Sequence, residues 1–313
     1  MYLCTDKRYV EMIKFIKTYT LPIAIIIGGV FYKLFLPLGF LMPYLIFIVL
    51  LLGFCKVSVK DLHLSKTHII LLLIQIIGSI SLYYLLLPLG KILAEGIMIC
   101  VMCPTAAAST VLTQKLNGDS SSVSSYLLLS NLAVSLVVPL FFPHIAESTS
   151  NLGFWTACLS ILSKIFPLLI LPFIIAEFSR YRMKKLHSFL LKYNSSAFYL
   201  WALNLSILTA ITTYSLLNEP ASKYLEFELG IGAFIVCVIQ FLLGKYVGKP
   251  SNDNIALGQS LGQKNTILAI WVTQLYLNPL AALAPGTYVI WQNVFNAWQI
   301  TRKEKGKRPT FLD

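Results

Sequence analysis

The stretch Cys103-Pro104-Thr105-Ala106-Ala107-Ala108-Ser109-Thr110 breaks into an otherwise apolar segment, and Gly258-Gln259-Ser260-Leu261-Gly262-Gln263-Lys264-Asn265 does the same at the matching place in the second half of the chain. A bilayer offers no water to unpaired N–H and C=O groups, so a half-broken helix survives there only if it is buried in protein or lines a cavity. Pro104 cannot donate a backbone hydrogen bond and clashes with the preceding turn. The small residues from Ala106 to Ser109 let another backbone come close. In the second stretch Gly258 and Gly262 play that part, while Gln259, Ser260, Gln263, Lys264 and Asn265 supply polar side chains. Paired interruptions in corresponding segments point to a binding site near the bilayer midplane. Two packing kinks alone would not call for five polar residues in seven positions.

The rest of the sequence sets those stretches in a membrane. Of 313 residues, 57% are hydrophobic and 12% charged, and the mean hydropathy is +0.74, outside the range of a soluble domain. Apolar runs of spanning length predict ten transmembrane helices, at 18–37, 39–57, 67–88, 91–116, 122–143, 153–177, 195–217, 226–247, 253–277 and 279–301. The fold class is all-α and polytopic. The net charge of +12 invites a nucleic-acid partner, but the distribution of the charges argues against one. Of 25 basic residues, 20 fall on alternate connections: Lys7, Arg8, Lys14 and Lys17 before the first span, then Lys56, Lys60 and Lys66, Lys115, the run Arg180, Arg182, Lys184, Lys185 and Lys192, Lys245 and Lys249, and finally Arg302, Lys303, Lys305, Lys307 and Arg308. The positive-inside rule then puts both termini in the cytoplasm and requires an even number of spans. An inner, plasma-membrane location and a lipid bilayer as the main partner follow.

Each half has three plain spans, a broken fourth and a fifth with polar residues. With an odd number of spans per half, the second half enters the membrane inverted. The expected organisation is a first inverted repeat at 1–144, a connector at 145–152, a second repeat at 153–301 and a basic cytoplasmic tail at 302–313. The six cysteines lack metal-ligand spacing and the four histidines, His63, His68, His144 and His187, form no cluster, so no metal site is expected. No in-span histidine or acid pair provides catalytic chemistry, and an enzyme is not expected. Gln75, Asn131, Asn204 and Asn293 lie inside predicted spans, where an amide most often ties helices together. Lys164, near Pro167, reads as a structural lysine whose stem snorkels.

These motifs resemble the bile acid:sodium symporter family. Cys103–Asp119, CPTAAASTVLTQKLNGD, is similar to the family's Cys-Pro-Gly-Gly-Thr-Ala-Ser-Asn run followed by Gly-Asp or Gly-Asn; Gly262–Ile270, GQKNTILAI, to its Gly-Met-Gln-Asn stretch; and Ala284–Asn293, APGTYVIWQN, to its Pro-Gly to Trp-His/Gln-Asn stretch. The resemblance implies a panel domain and a core domain, spans 4 and 9 broken and crossing, and alternating access to a site beside the crossing. It implies substrate contacts at Asn265, Gln292 and Asn293.

The family's sodium ligands map here onto Gln75, which is kept, the pair Ser109-Thr110, Val123, Leu127, Ser260 in place of a glutamate and Lys264 in place of a glutamine. A dehydrated Na⁺ needs several hard oxygen ligands, normally with a carboxylate among them, and none of the 13 acids falls at the crossing: Glu95 begins span 4 and Asp253 precedes span 9. Sodium coupling is therefore not expected at the family positions, and Lys264 reads as a tethered ammonium in place of one ion. A charge inside a span is costly and by default functional. The expectation is a secondary active transporter of an organic anion, either a small carboxylate or a bile-acid-like molecule. Its binding set is Ser109, Thr110, Ser260, Gln263, Lys264, Asn265, Gln75, Gln292 and Asn293. It needs no cofactor, and is driven by protons, by exchange or by residual Na⁺ dependence. The alternatives are a sodium-dependent symporter with altered sites, or a non-transporting sensor or intramembrane enzyme on the same fold. The oligomeric state is not legible.

Overall fold

The computed structural model describes residues 20, 22–146, 153–218 and 223–306. Basic residues counted before the first span, residues 147–152 of the connector and residues 307–313 of the tail lie outside them. The described residues are helical, with no strand. Helices α1 (22–30) and α2 (Tyr32–Phe35) meet at Phe31, and a 3₁₀ turn at Leu36–Leu41 leads into α3 (Met42–Phe54). Then follow α4 (Lys66–Leu86), α5 (Lys91–Met102), α6 (Ala108–Lys115), α7 (Ser120–Phe141), α8 (Phe154–Arg182), α9 (Lys184–Lys192), α10 (Ala197–Asn218), α11 (Lys223–Gly248), α12 (Asn254–Gly262), α13 (Thr266–Tyr276) and α14 (Leu283–Glu304).

Among the described residues six stretches are long and apolar enough to cross a membrane: Tyr32–Phe54, Lys66–Leu89, Ser120–His144, Phe154–Arg182, Asn194–Asn218 and Lys223–Ser251. The protein is an integral membrane protein. Its long helices carry no single apolar stripe, because lipid outside and neighbouring helices inside both favour apolar side chains. Thus on α4 Leu73 and Ile77 are exposed while Leu71, Gln75 and Ser79 are buried. The two interrupted segments instead become pairs of short helices, α5 with α6 and α12 with α13.

Local signals set the helix starts. Ser65 caps α4 by accepting from the His68 N–H, and the Nδ1 of His68 accepts the Ser65 N–H in return, which satisfies two otherwise orphaned donors. Asp119 caps α7 by accepting from the Ser121 N–H at 2.8 Å. Between α8 and α3, Arg180 donates to the carbonyls of Cys55 and Val57 at 2.9 and 2.7 Å and pairs with Glu177 at 3.2 Å.

Among the described residues four apolar clusters hold the bundle, the smallest joining α4, α7 and α12 through Leu71, Tyr126, Leu257 and Leu261. The largest joins α3, α5, α7, α8 and α13 through residues such as Phe54, Met98, Leu127, Ile165 and Leu268. The second joins α5, α11 and α14 through Ile97, Phe241 and Tyr288. The third joins α1, α3 and α10 through Ala24, Leu45 and Leu208. Packing is tightest between α11 and α12. A Cβ on Gly258 would stand 2.6 Å from Cγ of Lys245, and one on Gly244 would stand 2.8 Å from Cα of Gly258. Two helices approach this closely only where both present small residues.

Lys245 corrects one reading of the charges. Counted with a cytoplasmic connection, it lies in the last turn of α11, is 1% exposed and has its ammonium 5.2 Å from the Phe295 ring centroid. Lys164 is exposed on α8, its ammonium 5.9 Å from the ring of Tyr276.

Candidate functional site

The two breaks meet. After α5 the chain extends through Cys103, and after α12 it extends through Gln263. These segments run antiparallel and form an isolated bridge between Thr105 and Lys264. The Ala106 N–H donates to the Gln263 carbonyl, and the Asn265 N–H to the Pro104 carbonyl, both at 2.9 Å. The proline that ends α5 thus supplies the acceptor for the partner segment, and each break satisfies backbone groups the other leaves open.

The C-terminal carbonyls of both half-helices are taken up by side chains. At the end of α5, Gln75 Nε2 donates to the Met102 and Cys103 carbonyls at 2.8 and 3.0 Å, and Lys264 Nζ donates to the Val101 carbonyl at 2.9 Å. At the end of α12, Thr105 Oγ1 donates to the Ser260 carbonyl at 2.6 Å and the Tyr288 hydroxyl to the Gly262 carbonyl at 2.8 Å. Lys264 is 1% exposed. Its ammonium sits at the negative end of the α5 dipole, where a cation is stabilised. Among the described residues no group of three His, Cys, Asp or Glu side chains is arranged to hold a metal ion. The nearest-lying acids in sequence are used elsewhere: Glu95 accepts the Asn278 N–H at 2.9 Å, and Asp253 accepts the hydroxyl of Ser122.

The expected site residues fall into three groups. Ser260, Gln263, Lys264 and Asn265 lie in the crossing itself, with Gln75 beneath it. Gln292 accepts the Lys264 N–H at 2.9 Å, and Gln263 Oε1 accepts from Asn296 Nδ2 at 2.5 Å. The Ser260 hydroxyl is buried without a hydrogen-bond partner among the described residues. Ser109 and Thr110 occupy the first turn of α6, where their hydroxyls donate to the Ala106 and Ala107 carbonyls at 2.6 and 2.9 Å. Asn293 donates to Val289 of its own helix at 2.7 Å and makes no bond to the crossing. At the equivalents of the family's span 5 ligands, Val123 and Leu127 are fully buried apolar residues.

Several partners of the crossing were not singled out from the sequence. Tyr126 donates to Gln75 Oε1 at 2.7 Å, and Gln240 donates to the Tyr288 hydroxyl at 3.0 Å. Asn296 accepts from Gln259 at 2.9 Å, and the Ser130 hydroxyl accepts the Thr105 N–H at 3.2 Å. The spacing of glutamine and tyrosine on neighbouring apolar spans was the one signal, and it is weak.

Cavities locate the open space. The roomier, about 300 Å³, is a groove lined by Leu136, Leu159, Leu162, Ser163, Phe166 and Pro167; apolar apart from one serine, it offers an anion nothing. The smaller, about 30 Å³, is bounded by Trp201, Asn204, Asn265 and Ile267 with Ile46, Val49 and Leu50, at the start of α13.

Two interrupted helices that cross in the interior of a helical membrane protein are the arrangement that points to a transporter site. A family model agrees: the sodium bile acid symporter family matches residues 27–219, more than half of the chain, and the chain belongs to that family. No curated protein matches it.

Proposed function

We propose that the chain is a secondary active transporter of an organic anion, working by alternating access at the crossing, with Lys264 standing where a coupling cation would otherwise sit. The observation that carries this reading is the position of the Lys264 ammonium: buried, bonded to the Val101 carbonyl at the C-terminal end of a half-helix, with the N-termini of α6 and α13 at the same crossing. Fixed positive charge and first-turn N–H groups together favour a carboxylate.

The full architecture proposed is ten spans in two inverted repeats. They are α1–α2, α3, α4, α5–α6 and α7, then α8, α10, α11, α12–α13 and α14, with the apolar stretch Tyr32–Phe54 divided between the first two spans at the 3₁₀ turn Leu36–Leu41. Matched contacts support the pseudo-symmetry. Tyr126 of the fifth span reaches Gln75 of the third, as Tyr288 of the tenth reaches Gln240 of the eighth. Glu95, early in the fourth span, binds the start of the tenth, and Asp253, ahead of the ninth, binds the start of the fifth. Both termini then face the cytoplasm of the plasma membrane, in line with the basic connections. The cores suggest that α1–α3 and α10 belong to the panel that moves against the crossing helices.

Counterflow in proteoliposomes tests the reading. Carboxylate trapped inside is expected to accelerate uptake of labelled carboxylate, without chemical change and without need of Na⁺. Uptake indifferent to the trapped anion means a channel; a changed product means an enzyme; strict Na⁺ dependence overturns the role given to Lys264.

A further inference from the structure

We infer that Asn204, on α10, reads a hydroxyl group carried by the bound anion. This rests on the anion-transport reading above and adds a residue of the opposing wall to the site. Asn204 is 1% exposed, and neither its Oδ1 nor its Nδ2 has a hydrogen-bond partner among the described residues. Asn131 and Gln259 each have one end bonded, to the Leu127 carbonyl of the same helix at 2.7 Å and to Asn296 at 2.9 Å, with the oxygen left open. Gln299 also has both ends open, but Asn204 is the one of the two that lines a cavity with Asn265. A carboxamide buried with both ends open destabilises the protein that carries it.

The amide faces something specific. It borders the cavity of about 30 Å³ whose far side is Asn265, and Asn265 is the N-cap of α13, its Oδ1 accepting from the Leu268 N–H at 3.3 Å. An 11-residue helix therefore starts against the same space, with its positive end turned to the crossing. The two walls offer complementary chemistry. The α13 terminus and Lys264 favour a carboxylate, whereas Asn204 offers N–H donors on Nδ2 and an acceptor at Oδ1, a combination that suits a group able both to donate and to accept. The cavity is large enough for a water-sized group beside the amide, and a hydroxyl is such a group. Ile46, Val49, Leu50 and Ile267, which also line it, offer no polar group that competes for the hydroxyl. A substrate lacking the hydroxyl leaves the amide unpaired, and such a site rejects analogues that lack the group.

The test uses the purified full-length protein in detergent, with Asn204→Leu and the smaller Asn204→Ala. Without added acid, Asn204→Leu is expected to raise the unfolding midpoint, because an open amide is replaced by an apolar side chain of similar volume. A fall in both variants would mean that the amide holds the fold, and overturns the assignment. The second arm compares lactate with propionate and glycolate with acetate as stabilisers. In the wild type each hydroxy acid is expected to act at roughly tenfold lower concentration than its partner, as a missing bond to a buried polar group predicts, and in Asn204→Leu the two become equal. Equal action in the wild type, or the same preference in the variant, overturns the assignment and leaves anion transport standing. No stabilisation by any of the four acids counts against the anion reading, and the assignment falls with it.

Discussion

Lys264 is the residue on which the chemistry turns. Its ammonium is bonded to the Val101 carbonyl and its own N–H to Gln292, so it both bears charge and fixes the crossing. Two substitutions separate those parts. Lys264→Met leaves the Val101 carbonyl buried without its donor, and the expected loss of stability is about 1–3 kcal/mol, read by thermal unfolding, together with loss of exchange. Lys264→Gln combined with Ser260→Glu restores the amide and carboxylate that relatives carry at those positions, and Na⁺ is then expected to raise the unfolding midpoint of the double variant and not of the wild type. A double variant blind to Na⁺ argues that the lysine is structural. Thr105→Val keeps shape and removes the bond to the Ser260 carbonyl; about 1 kcal/mol of stability should go with it, and calorimetry or chemical denaturation would register the change. Residues at this scale were unevenly legible. The polar run from Gln259 to Asn265 stood out because a membrane span tolerates so little polarity. Tyr126 and Tyr288 did not, because a hydroxyl that binds a buried glutamine looks in sequence like any aromatic of the interfacial belt.

At the scale of elements, the broken helices persist because each repairs the other. The antiparallel pairing of 104–106 with 263–265 cannot form if α12 is displaced, and its position is set by the contact of Gly244 and Gly258 with the neighbouring backbone. Gly258→Leu should force α11 and α12 apart, costing at least the roughly 1–3 kcal/mol typical of overpacking. Aggregation on extraction or a lowered midpoint would register it, whereas an unchanged midpoint would mean that the helices are not held there. The sequence pointed to both breaks through Pro104 and the glycines, but not to their mutual pairing, since backbone bonds carry no side-chain signature. It also misplaced Lys245, because a charge count treats every basic residue near a span end as solvated, and this one is enclosed by α12 and α14. Asn293, matched to a cavity position by motif, is half-buried and donates to the Val289 carbonyl one turn back on its own helix.

At the scale of the molecule, six stretches of the described residues meet the length and hydropathy of a span, and the ten-span reading depends on counting the short, interrupted and amphipathic helices with them. Those are the segments whose polarity serves the interior, which is why hydropathy alone undercounts them. If the two halves are inverted repeats, exchanging which half closes the crossing opens it to the other face, and cysteines introduced along α10 should change their access to impermeant reagents when a carboxylate is added. The most direct measurement is anomalous diffraction from crystals grown in Tl⁺, which takes the place of an alkali cation in oxygen cages. With an ammonium already fixed against the Val101 carbonyl, no thallium peak is expected within coordination distance of residue 264 in the wild type, and a peak should appear in Lys264→Gln with Ser260→Glu. A wild-type peak bonded to the carbonyls of Val101 or Ser260 would contradict the substitution of lysine for the ion.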